Sequence, residues 1–147
     1  MSSHAAGFTV QEADFARLAG EIRLLRHEVF VIGQAVPEEE EWDGLDELPS
    51  TRHLVARDSG GAPIGTARLL PGGKIGRMAV LGAHRGKGVG SALMEALLEM
   101  ARAQGEGRCE LGAQLHAIPF YERHGFGAEG GIFLDAGIEH RLMTRKL

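Results

Sequence analysis

The chain has 147 residues, 44% of them hydrophobic and 24% charged, with a formal net charge of −4. That length and composition suit a soluble globular protein with a proper core; no apolar run approaches the ~20 residues needed to span a bilayer, and the acidic balance argues against a nucleic-acid partner. The N-terminal MSSHAAGFTV has no basic stretch leading into an apolar one, so it does not read as a secretory signal, and the lone Cys109 excludes an internal disulfide; a cytoplasmic protein is the expectation.

In chain order, a short strand near residues 8–10 gives way to a helix from about Gln11, where Phe15, Leu18, Ile22, Leu25 and Val29 recur at spacings of three and four. Pro37 and an acidic run break this pattern into a loop reaching Pro49. Residues 53–56 read as a strand, 58–61 as a turn, 64–70 as a strand, Pro71-Gly72-Gly73 as a hairpin turn and 74–81 as a further strand. A helix follows from about Gly88 to Gln104, with Val89, Leu93, Leu97, Met100 and Ala101 on one face, ended by Gly105 and Gly107. Residues 109–115 form a strand and 117–124 a short helix with Pro119 in its first turn. Extended chain resumes at 125–127, and 140–146 is the final strand. Nothing repeats and no linker intervenes, so residues 1–147 read as one α+β domain: a sheet of six to seven strands, antiparallel in its middle, with flanking helices.

Charge is segregated along the chain. Residues 38–47 carry seven acids and no base, whereas residues 59–94 carry no acid but hold Arg68, Lys74, Arg77, Arg85 and Lys87. Buried strands shed charge, which accounts for part of the gap; an anion-facing surface accounts for more. The acidic run reads as a solvated loop, or, if it borders a cleft, as a feature favouring a cationic amine.

The acid-free window contains AVLGAHRGKGVGSALMEALLEMA, residues 79–101, in which a strand passes through Gly86, Gly88 and Gly90 into a helix. The unpaired N–H groups of a first helical turn and the helix dipole attract anions. Glycines let the backbone approach a ligand closely, and Arg85 and Lys87 add charge. A Walker A loop fits poorly, because residues 82–88 are one residue short and lack the hydroxyl. A dinucleotide fingerprint fits poorly too, since the glycines run G-x-G-x-G after the fourth strand rather than G-x-G-x-x-G after the first. Arg85-Gly86-Lys87-Gly88-Val89-Gly90 instead matches R-G-x-G-[IVL]-[GA], and here the chain resembles the GNAT superfamily of acyl-CoA N-acyltransferases. The resemblance implies a GNAT-type fold, a central mixed and mostly antiparallel sheet splayed between its fourth and fifth strands. It also implies acetyl-CoA (coenzyme A) as co-substrate. The backbone around Arg85, Gly86, Lys87, Gly88, Val89, Gly90 and Ser91 would hold the pyrophosphate, and that of Met78, Ala79 and Val80 the pantetheine.

Residues 117–126, AIPFYERHGF, resemble the same family's A-x-x-[FL]-Y-x-x-x-G-F element, so the likeness covers about residues 8–147. Gln114 stands where the family often has Asn, a departure that keeps the amide and its expected cofactor contact. Amine attack on a thioester releases a thiolate, whose unperturbed pKa is near ~8.5 or above, and a phenol of pKa ~10 can protonate it. Tyr121, the only tyrosine, is therefore the expected proton donor and a cofactor contact; an aromatic packed on the sheet is the alternative. Phe120 and Phe126 read as core.

The amine itself must lose a proton before it attacks. Residues 26–37, with Arg26, Val29 to Val31, Gln34, Val36 and Pro37, resemble the R-x-x-V-F-V-x-E-Q-x-V-P segment of an ElaA/YjcF-like GNAT subgroup, with Gly33 in place of its Glu. Glu41, Asp43 and Asp46 resemble the subgroup's E-x-D-x-x-D, and residues 136–143 its A-G-I-x-H-x-x-M. His140 also occupies the place of a base histidine in the related glyphosate N-acetyltransferases, so the resemblance makes it the expected general base; a hydrogen-bonded histidine at a strand end is the alternative. His116 is a second candidate, and His4, His27, His84 and His124 read as surface or packing residues. No H-E-x-x-H or comparable spacing suggests a metal. The expected reaction is direct acetyl transfer to a small-molecule primary amine in a ternary complex. A non-catalytic acyl-CoA sensor or partner module and a nucleotide-binding protein are the alternatives. Glu41 would suit a cationic acceptor, while Arg26 and Arg77 would suit a carboxylate-bearing one, with His116 nearby. Cys109, at the start of a buried strand, does not read as an acyl carrier. A homodimer is compatible with the sequence, which sets neither the oligomeric state nor the length of the acyl group.

Overall fold

The computed structural model of the protein describes residues 2–5, 7–36 and 41–147. Its strands are β1 (Ser2–Ala5), β2 (Phe8–Ala13), β3 (Arg52–Asp58), β4 (Pro63–Leu70), β5 (Lys74–Val80), β6 (Arg108–Gln114), β7 (Gly127–Asp135) and β8 (Ile138–Lys146). Among the described residues three α-helices flank them: α1 (Phe15–Arg26), α2 (Val89–Ala103) and α3 (Ile118–Arg123). The strands make one sheet in the order β1-β2-β3-β4-β5-β6-β8-β7. Every neighbouring pair is antiparallel except β5 and β6, which run parallel and meet only where Lys74 faces Glu110. Beyond that point the two strands diverge, giving the splay that the family resemblance implied. The expected strands are all present. β1 is an addition, pairing Ser2 to Ala5 with Gln11 to Phe8 at the sheet's edge.

Two boundaries differ from the sequence reading: β7 runs on to Asp135 where only 125–127 read as extended, and the first helix starts later. The chain stays extended through Ala13, because Gln11, Glu12 and Ala13 pair with Val55, Leu54 and His53. The helix starts only at Phe15, where Asp14 takes an extended conformation and its Oδ1 accepts the Ala16 N–H at 3.1 Å. The side-chain cap thus overrides the apolar spacing that pointed to an earlier start. At its other end α1 widens into a π-helical turn over His27–Ile32, which carries the buried Val29 onto the cleft side.

The core is laid out by strand alternation. Leu54, Ala56, Ala67, Leu69 and Ile75 pack on one face under α2, which contributes Val89, Leu93, Met94, Leu97 and Met100. Val55 lies on the opposite face with Phe15 and Ile22 of α1. Gly65 sets how closely α2 approaches: a Cβ there would stand 3.2 Å from Val89 and Leu93 side-chain carbons and from the Ala79 carbonyl. A larger residue at Gly65 would therefore lift the start of α2 off β4. Among the described residues no helix is long and apolar enough to cross a membrane.

Candidate active site

The site begins with an irregularity in β5. Thr66 pairs with Ala79 and Arg68 with Gly76, so Arg77 and Met78 together face Ala67 across a bulge. Arg77 has φ +49°, uncommon for a residue with a Cβ. Because β6 has already diverged, the bulged half of β5 forms one wall of a 620 Å³ cleft rather than pairing with β6. Gln114 at the end of β6 and His140 opposite it on β8 stand on the other wall.

Arg77 does not stand free. With Arg26, Arg68, Glu41, Asp43 and Asp46 it forms a closed ring of alternating charge. Arg26 Nε lies 2.6 Å from Glu41, whose carboxylate lies 3.4 Å from Arg77 Nε. Arg77 Nη2 lies 3.2 Å from Asp43, which takes a forked pair of bonds from Arg68 at 3.0 and 2.9 Å. Arg68 reaches Asp46 at 3.2 Å, and Asp46 closes the ring on Arg26 at 2.7 Å. Trp42 lies against the outside, its ring 5.2 Å from the Arg26 guanidinium carbon. Burial would raise the Asp43 carboxyl, but the Arg68 and Leu45 hydrogen bonds and the Arg68 and Arg77 charges outweigh it and bring it down to about 2. Asp46 is lowered in the same way, burial being overcome by Arg26 and then Arg68. Beneath the ring His53 is stacked on Phe15, its Nε2 3.1 Å from the Asp46 carbonyl. Burial pushes this imidazole below its usual value, and its Nδ1 has no partner.

Where the acidic run is described, Glu41 and Asp46 are buried while Glu47 stays exposed, so it is a solvated loop only in part. Residues 37–40 lie outside the described residues, and Glu41 is 3% exposed. The reason is charge pairing: Glu41, Asp43 and Asp46 answer Arg68 and Arg77 of the acid-free window, together with Arg26. Arg26, considered as an acceptor contact, is 1% exposed and stands behind the cleft, its guanidinium divided between Glu41 and Asp46.

Of the other residues singled out by sequence, Met78, Ala79, Val80, Arg85, Gly90 and Gln114 line the cleft, and so do Tyr121, His140, Glu41, Arg77 and His116. Gly86, Lys87, Gly88, Val89 and Ser91 lie beyond it. Val89 turns its side chain into the core, and Arg85 folds back so that its Nε donates to the Val80 carbonyl at 3.2 Å. Gly86 and Gly88 have φ +77° and +85°, with open space where a Cβ would stand. Gly88 caps α2 without a side-chain bond, and the helical ladder starts with Ala92 N–H donating to the Gly88 carbonyl. The N–H groups of the first turn, in a left-handed glycine setting, fit a pyrophosphate.

Tyr121 is held by edge-on contacts with Phe120 and Phe126, at 5.1 and 6.2 Å between centroids, and burial raises its phenol above the usual value. His140 is 8% exposed and stacks on Phe133 at 5.7 Å. Its Nδ1 lies 2.7 Å from the Ile138 carbonyl; that nitrogen therefore carries a proton, and in the neutral ring Nε2 is the one with the lone pair. Two contributors were missed. Gln34 accepts from Gln114 at 2.8 Å across the mouth of the splay, and Phe133 orients His140. The amide at Gln34 was visible in the segment resembling the subgroup, but its partner lies 80 residues away. No signal marked Phe133.

A model of the acetyltransferase (GNAT) domain matches residues 7–147. The chain is 42% identical over 125 residues to the uncharacterized N-acetyltransferase YjcF of Bacillus subtilis, covering 82% of this chain and 87% of that one. Among solved structures it resembles an acyl-CoA N-acyltransferase from Pseudomonas aeruginosa, at 35% identity and a TM-score of 0.81, covering 92% of this chain and 97% of the other. It also resembles Escherichia coli ElaA, at 30% identity and a TM-score of 0.82 over 92% and 98% of the two chains.

Proposed function

The chain belongs to the GNAT acetyltransferase family and is an acyl-CoA N-acyltransferase, and we propose that it moves an acetyl group from acetyl-CoA to the primary amine of a small molecule by direct transfer in a ternary complex. The observation that carries this reading is the cleft opened by the divergence of β5 and β6, into which the β5 bulge, Tyr121 and His140 all face.

Acetyl-CoA supplies a thioester carbonyl as the electrophile. The first-turn N–H groups of α2, flanked by Arg85 and Lys87, hold its pyrophosphate. The backbone of Met78, Ala79 and Val80, left unpaired by β6, holds the pantetheine and polarises the thioester carbonyl. His140 Nε2 takes a proton from the acceptor ammonium, the freed amine nitrogen bonds to the carbonyl carbon and gives up its second proton to water, and the C–S bond breaks. Tyr121, kept protonated by its burial, gives its proton to the departing sulfur. Since Glu41 is engaged by two arginines, it offers no free carboxylate to a cationic acceptor. Purified protein incubated with acetyl-CoA and a broad panel of primary amines should release thiol and give acetylated product. Tight binding of coenzyme A with no release across the panel would overturn the reading in favour of a sensor.

A further inference from the structure

Beside the glycine turn, and outside the cleft, three polar side chains form a line. Ser91 and Glu95 lie one turn apart on α2, and His124, just after α3, stands between them. Its Nδ1 is 3.0 Å from Glu95 Oε1 and its Nε2 3.1 Å from Ser91 Oγ. The side chain of His124 is 10% exposed, with the Phe120 ring 4.9 Å away. Serine, histidine and carboxylate in this order activate a nucleophile in hydrolases. Here, however, Ser91 does not line the cleft and sits in the first turn of α2, where helical side chains lean back toward the N-terminus.

Proton inventory decides what the line does. A carboxylate only accepts, so the nitrogen facing Glu95 carries a proton. With a neutral ring, Nε2 is then a lone pair, and the bond to Ser91 uses the only hydroxyl proton. Ser91 in that state turns lone pairs toward any anion at the helix start. With a charged ring, Nε2–H donates to Oγ and the hydroxyl proton is free to turn outward.

We infer that His124 is a positioning residue for cofactor binding, its protonation releasing the Ser91 hydroxyl to donate to the pyrophosphate, so that binding takes up a proton. The inference rests on the coenzyme A reading above. The charged group against the ring is Glu95 on α2; Arg145 on β8 donates to the His124 backbone carbonyl, and the Arg123 guanidinium of α3 lies 6.0 Å from the neighbouring Phe120 ring. An arriving pyrophosphate adds negative charge beside Ser91 and draws the proton to the imidazole.

The test is calorimetric titration with dephospho-coenzyme A, in two buffers of different ionisation enthalpy, from about pH 5.5 to about pH 8. This ligand lacks the phosphate monoester, which would itself titrate near pH ~6. The wild-type protein should take up a fraction of a proton per ligand and bind more weakly as pH rises, by up to ~10-fold per pH unit. His124→Gln, which keeps an N–H toward Oγ but cannot titrate, should bind with no proton uptake and a flat pH profile. Ser91→Ala should lose the gain in affinity at low pH. Binding by the wild-type protein without proton uptake, or an unchanged profile in His124→Gln, would overturn the inference. If the line only ties α3 to α2, both variants would melt earlier while keeping the wild-type pH profile, which also overturns it. Absence of dephospho-coenzyme A binding at every pH would remove the coenzyme A reading and the inference together.

Discussion

Asp43→Asn tests whether the ring of arginines and carboxylates beside the cleft stabilises the fold. Asp43 accepts from both Nη atoms of Arg68, from Arg77 Nη2 at 3.2 Å and from the Leu45 N–H at 3.1 Å. Together these overcome the cost of burial and bring its carboxyl from 3.8 to about 2. At ~1.36 kcal/mol per pKa unit the difference favours the folded state by about 2.5 kcal/mol at neutral pH. Its side chain is 27% exposed, so screening reduces this to about 2 kcal/mol. Stranding a buried charge would cost more, ~3–5 kcal/mol, but Arg68 keeps Asp46 at 3.2 Å, and the smaller figure governs. For a domain of this size ~2 kcal/mol lowers Tm by about 4–8 °C.

The pH dependence has a definite sign. The folded value lies below the ordinary one, so the contribution is complete above pH ~4 and is lost as pH falls through about 2. Thermal melts of the two proteins should therefore differ by a constant gap from about pH 8 to about pH 5, narrowing only in stronger acid. A gap under ~0.5 kcal/mol at neutral pH, typical of an exposed surface pair, would refute the reasoning. So would a gap already closed at about pH 5.

Three further outcomes follow from the same geometry. Tyr121→Phe should lower kcat by ~10²–10⁴-fold while coenzyme A affinity stays within about twofold; an unchanged kcat would assign the leaving-group proton elsewhere. Gly88→Val forces a β-branched residue into φ +85°, at a cost of ~1–2 kcal/mol. Because the space around Gly88 is open, the loss should appear chiefly as coenzyme A binding at least ~10-fold weaker, and wild-type affinity would contradict the pyrophosphate placement. His53, held below its usual value by burial, contributes stability that is present above pH ~6.5 and lost as pH falls toward its folded value. Melts of His53→Gln should fall less steeply than the wild type below pH ~6.5, and equal slopes would rule out His53 as the source.

What was legible in the sequence was what lies close together along the chain. The glycine turn shows because positive φ at Gly86 and Gly88 and a helix start fall within six residues of one another, and Tyr121 shows because its helix is equally compact. The π-helical turn at His27–Ile32 left no such mark, since its apolar spacing reads as ordinary helix. The ring shows in the sequence as two separate charge anomalies, an acidic run and an acid-free window, and as unconnected motif positions at Arg26, Glu41, Asp43 and Asp46, because its partners lie 15 to 36 residues apart. Joined in the fold, the anomalies largely cancel: Arg68 and Arg77 face the chain's own carboxylates rather than a ligand. That leaves Arg85, Lys87 and uncharged backbone N–H groups at the glycine turn. Recognition of an anion by backbone dipoles needs no excess of positive charge, and so a chain with a net charge of −4 can take a polyanionic cofactor.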